Sequence, residues 1–98
     1  MNTFLRAPEF DAWLKTLRDP IGKARVIARI RSAEAGNFGD CEPVGNGISE
    51  MRVHAGPGYR VYYSRKSGIV YLLLCGGNKS TQAKDIKLAK AILARLED

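Results

Sequence analysis

Within ISEMRVHAGPGYRVYYSR, residues 48 to 65, the side chains able to do chemistry are Glu50, Arg52, His54, Arg60 and Tyr62. Side chains alternate along a strand, so residues two apart share a face. Ile48, Met51 and Val53 read as core residues, Ile48 being out of phase, while Glu50, Arg52 and His54 point the other way. In the next strand Tyr59, Val61 and Tyr63 are the apolar set, leaving Arg60, Tyr62 and Ser64 on the far face. A three-residue loop, Gly56-Pro57-Gly58, pairs Ala55 with Tyr59. It sets His54 opposite Arg60, Arg52 opposite Tyr62, and Glu50 opposite Ser64, at the ~5 Å spacing of cross-strand neighbours. Such a face suits an anion. The plain alternative is a solvated sheet surface on which Glu50 and Arg52 are partners, His54 is an ordinary surface histidine and Tyr62 covers the sheet.

A further cation follows in GGNK, residues 76 to 79. This reads as a glycine turn before a helix, whose N–H groups suit a phosphate but lack the Walker pattern. The adjoining strand brings Lys79 near the rim of the same face. The formal net charge of +6 over 98 residues fits a polyanionic partner, nucleic acid first, with an acidic protein as the alternative.

The elements that must position these groups follow from pattern. Pro8 suits the first turn of a helix that carries Phe10, Trp13, Leu14 and Leu17 on one stripe. Asp19-Pro20 caps a second helix, with Val26, Ile27, Ile30 and Ala33 facing inward, Arg25 and Arg29 outward, and Gly36 as its stop. The two should form an antiparallel hairpin. Residues 36 to 47 are a loop-rich connector with room for a short strand around Glu42 to Val44. Strands are expected at 48–55, 59–65 and 69–75, with Lys66-Ser67-Gly68 as the second turn. A last helix starts at Ser80 or Thr81, and Ile86, Ala89, Leu93 and Leu96 supply its stripe. A short strand at Thr3 to Arg6 completes the order βααβββα. The expectation is one α+β domain over residues 1–98, its helices packed on one face of a mainly antiparallel four-stranded sheet.

Composition narrows the class. The chain is 45% hydrophobic and 27% charged, as ordinary globular proteins are, without an apolar run of membrane-spanning length or a secretory signal. Cys41 and Cys75 belong to no metal-binding pattern, only one histidine is available to help, and Cys75 reads as a small buried hydrophobe. The expectation is a cytoplasmic protein with no cofactor, no metal and no membrane contact.

The runs SEMRVHAGPGYRVYY and YLLLCGGNKSTQAKDI, with FDAWLKTLRDPIGKARVIARI and GNFGDCEPVGNGISE upstream, resemble the RelE/HigB superfamily of toxins from bacterial type II toxin–antitoxin modules. The likeness is to the branch called addiction-module killer proteins and covers nearly the whole chain. It implies a RelE-like fold and a metal-independent endoribonuclease that cuts messenger RNA within the ribosome and inhibits translation. It also implies a cognate antitoxin, usually a helix-turn-helix protein whose complex with the toxin binds operator DNA. The arginine of the family's GYR motif falls on Arg60, a basic residue of the preceding strand on Arg52, and the one after the glycines on Lys79. Relatives carry another basic residue where this chain has Glu50, and a tyrosine or histidine about where Asp85 stands.

On that reading, the 2′-hydroxyl of RNA attacks the adjacent phosphorus and negative charge builds on the phosphoryl oxygens. Arg60 meets that charge with paired N–H donors, and Arg52 and Lys79 add field and bind the strand. His54, or else Glu50, handles the protons, and Tyr62 stacks on a base or donates a hydrogen bond. The ParE branch of the superfamily suggests the alternative, a non-enzymatic inhibitor of DNA gyrase with a similar fold. A third reading is a degenerate toxin kept for its antitoxin-binding surface.

Overall fold

A computed structural model describes residues 1–97. Strand β1 (Thr3–Arg6) leads into helices α1 (Pro8–Thr16) and α2 (Pro20–Glu34). Strands β2 (Cys41–Gly45), β3 (Ile48–Val53), β4 (Tyr59–Ser67) and β5 (Val70–Asn78) follow, then a short 3-10 turn at Lys79–Thr81 and helix α3 (Gln82–Glu97). The result is α+β, with three helices and one mixed sheet ordered β1-β5-β4-β3-β2. All pairs are antiparallel except β1 with β5. The sheet has five strands where four were expected, because Cys41–Gly45 pairs with β3 and is a full member. No helix among the described residues is long and apolar enough to cross a membrane.

The two helices bury the stripes that their spacing predicts. Asp19 caps α2 by accepting from the Gly22 N–H at 3.0 Å, and the Tyr59 hydroxyl donates to the same carboxylate at 3.0 Å. Phe10, Leu14, Val26, Ile30 and Ala33 pack with Met51, Val53, Tyr59, Val61, Tyr63 and Leu73 of the sheet. Arg29 is not merely solvated. Its guanidinium donates to the carbonyls of Arg52 and Phe38 and clamps α2 to the segment before β2.

The position of α3 differs from expectation. Its Ala89, Ile92 and Leu93 pack with Ile48, Tyr62, Leu74 and Cys75, a cluster separate from the one beneath the hairpin. By strand alternation these sheet residues belong to the other face, so the sheet is covered on both sides. The physical reason is in β5 itself, whose unbroken apolar run has no polar face to offer water.

Two further expectations are corrected by register. Between β3 and β4 lie the five residues His54 to Gly58, with Val53 opposite Tyr59. Arg52 therefore faces Arg60 and Glu50 faces Tyr62, a shift of two residues that keeps every side chain on its expected face. The pair Gly76-Gly77 is not a turn but part of β5, opposite Val61 and Arg60. A Cβ at Gly76 would overlap the Trp13 ring from α1, and one at Gly77 would overlap the Asp85 carboxylate from α3. The glycines are required because helices press on the strand from both sides.

Candidate functional site

The polar centre lies where the α3 end of β3 and β4 meets the start of α3. Glu50 is completely buried and its carboxylate takes four donors. Arg60 Nη1 reaches Oε2 at 2.9 Å and Arg52 Nε reaches the same oxygen at 3.3 Å. The Tyr62 hydroxyl donates to Oε1 at 3.1 Å and Gln82 Nε2 at 2.7 Å. An ionised carboxylate has about four acceptor positions, so Glu50 is saturated and has no lone pair left with which to accept a substrate proton. Its geometry is that of a brace for two arginines.

Tyr62 is equally buried, its ring under α3, and burial raises its hydroxyl well above the ordinary tyrosine range. It presents no ring face on which a base could stack. Arg52 stays on the expected face but is ringed by acids, with Glu42 at 2.6 Å, Glu50 at 3.3 Å and Asp40 at 3.9 Å. The side chain of Arg60 is only 13% exposed and its Nη1 is held by Glu50. The face expected from alternation is thus a set of braced guanidiniums interleaved with carboxylates.

Beside this centre is a shallow cleft of about 490 Å³ lined by the loop His54–Gly58, by Arg60 and by Lys79. The loop turns through Gly56 and Gly58, both at positive φ, where a side chain would be strained. The Lys79 N–H donates to the Gly58 carbonyl at 2.9 Å, which fixes the exposed lysine against the loop. His54 lies beyond the end of β3 with its side chain 76% exposed. Its Nε2 is 2.7 Å from Asp40 Oδ2, and that contact holds the Asp40 carboxyl below the usual carboxylate range. Asp40 is fixed in turn by its carbonyl, which accepts from the Arg52 N–H at 2.9 Å.

Of the six residues singled out from sequence, Glu50, Arg52, Arg60 and Tyr62 form one connected network. His54, Arg60 and Lys79 share the cleft, so Arg60 belongs to both groups. Sequence reasoning missed Asp40 and Gln82. Asp40 lies outside any strand and Gln82 on the last helix, and only the tertiary fold brings them to His54 and Glu50.

No solved structure matches this chain. An uncharacterized protein of Haemophilus influenzae is 49% identical over 87 residues, which cover 89% of this chain and 88% of that one. A model of the phage-derived Gp49-like proteins (DUF891) matches residues 12–97. The chain belongs to this Gp49-like family, which is associated with the toxins of toxin–antitoxin addiction modules.

Proposed function

We propose that the chain is the toxin of a type II toxin–antitoxin module, a RelE/HigB-like endoribonuclease that acts in the cytoplasm on messenger RNA held in the ribosome. The observation that carries this reading is the shared cleft of His54, Arg60 and Lys79 in a chain whose family is associated with such toxins. In the reaction the 2′-oxygen bonds to phosphorus as its proton leaves, and the 5′-oxygen departs with a proton gained. Arg60, braced through Nη1, meets the charge on the phosphoryl oxygens with its remaining N–H groups, and Lys79 adds an exposed positive charge. His54 exchanges protons with the reacting oxygens while Asp40 holds its ring. Arg52 and Glu50 act behind Arg60 in this scheme, and Tyr62 has no contact with RNA. Positioning by the ribosome supplies much of the rate. The antitoxin is a small helix-turn-helix protein that covers the cleft or moves α3, and its complex with the toxin binds operator DNA.

The test is induction of the chain with and without the adjacent gene, mapping messenger 5′ ends in polysomes. Cleavage should appear only without the partner and should vanish in Arg60→Ala. Cleavage that persists undiminished in a folded Arg60→Ala protein refutes the site. One observation favours the second reading, inhibition of gyrase by docking: Arg52 and Arg60 already give donors to carboxylates. A docking surface tolerates that pairing better than a phosphate grip does. Gyrase-linked DNA breaks with intact messenger would establish it.

A further inference from the structure

Arg60 meets Glu50 through a single contact, Nη1 on Oε2. A carboxylate facing a guanidinium commonly takes it in two parallel bonds. Here the second oxygen is engaged, because Oε1 already accepts from Gln82 and from Tyr62. Tyr62 stands on the same strand as Arg60, but Gln82 comes from another element, the first residue of α3. The geometry points to Gln82 as a positioning residue: by occupying Oε1 it keeps Glu50 from closing on Arg60 as a fork, and so leaves guanidinium N–H groups facing the cleft for a phosphodiester. The inference rests on the reading of that cleft as a phosphate site.

The physical argument is one of saturation. Four donors fill the acceptor positions of a carboxylate that is fully buried, and an emptied position there is costly. If the Gln82 amide is removed, water does not readily replace it. Of the two guanidiniums already on Oε2, Arg52 is also held by Glu42, so the free end of Arg60 is the one left to turn toward Oε1. The cleft then loses a donor although the charge of the protein is unchanged. A loss of anion affinity in that variant reports geometry, not field.

The experiment uses the full chain and, as probe, a fluorescein-labelled eight-nucleotide 2′-O-methyl RNA, which lacks the attacking hydroxyl and cannot be cut by this chemistry. Fluorescence anisotropy should show Gln82→Leu binding about tenfold more weakly than wild type, the size of one charge-assisted hydrogen bond. The ¹⁵N resonances of the Arg60 side chain give a second readout that needs no ligand, and in Gln82→Leu they should show the slowed guanidinium rotation of a two-point contact. Wild-type affinity in Gln82→Leu, or unchanged Arg60 resonances, would overturn the role of Gln82. If wild type binds no oligonucleotide at all, the phosphate-site reading falls, and the Arg60 resonances still decide the positioning.

Discussion

Glu50→Ala tests the brace most directly. The substitution removes the acceptor of Arg60, Tyr62 and Gln82 at once, in a site where Glu50 and Tyr62 are fully buried and the side chain of Arg60 is 13% exposed. Arg52 retains Glu42 and should tolerate the loss. Removing one partner of a buried ion pair strands the other charge and costs about 3–5 kcal/mol. Against a total stability of roughly 5–15 kcal/mol, that is a large share. For a chain of this size it corresponds to a fall in melting temperature of roughly 12–40 °C. Urea unfolding with linear extrapolation measures it, provided the slope is unchanged. The cost should come from stranded polar groups and not from lost bulk. The triple variant Glu50→Leu, Arg60→Leu, Tyr62→Phe should therefore recover most of it, because apolar replacement of a whole buried pair is often neutral. A cost below about 1 kcal/mol for Glu50→Ala, or a triple variant no more stable than the single, would refute the brace and leave Arg60 a solvated cation.

The paired glycines of β5 should be intolerant. Gly76→Ala forces the Trp13 ring outward and Gly77→Ala displaces the Asp85 carboxylate, each costing about 1–3 kcal/mol by urea unfolding. The Asp19 carboxyl is held below the ordinary carboxylate range by the Gly22 N–H and the Tyr59 hydroxyl. It therefore contributes stability that is present above its unfolded value, about pH 4, and lost as the pH falls through its folded one. Asp19→Asn should flatten that acid limb in a pH series of unfolding midpoints. Burial pushes the Cys75 thiol up to about 12, whereas Cys41 is partly exposed. A disulfide reagent at pH 8 should titrate one thiol in the native protein and the second only after denaturation.

Much of this architecture was legible because local signals agreed with the fold. Asp19-Pro20 caps a helix wherever it stands, and the alternation in EMRV and YRVYY puts Glu50, Arg52 and Arg60 on one face for any loop of odd length. The register itself is not legible there. Both a three-residue and a five-residue loop keep the faces, and nothing in HAGPG says that His54 and Ala55 leave the strand. Gly76-Gly77 resembled a turn because the close approach that demands glycine comes from Trp13 and Asp85, far away in sequence. The second covered face did leave a trace, in the out-of-phase Ile48 and the unbroken apolar run of β5, and both mark a sheet without a wet side. The acid around the arginines left none. Glu42, Asp40 and Gln82 reach Arg52, His54 and Glu50 only across strand pairings and a helix contact that spacing does not encode.

The parallel pairing of β1 with β5 carries a consequence for synthesis. Thr3 lies beside Val70, 70 − 3 = 67 residues later, and Phe4 stacks on Tyr71. A chain growing from its N-terminus at 5–20 residues per second therefore waits roughly 3–13 s before its first strand acquires a neighbour. Arg60 waits longer still, for Gly77 across the ladder and for Gln82 to fill the far oxygen of Glu50. Whatever the protein does through that guanidinium cannot begin before Gln82 has been made and has docked on Glu50.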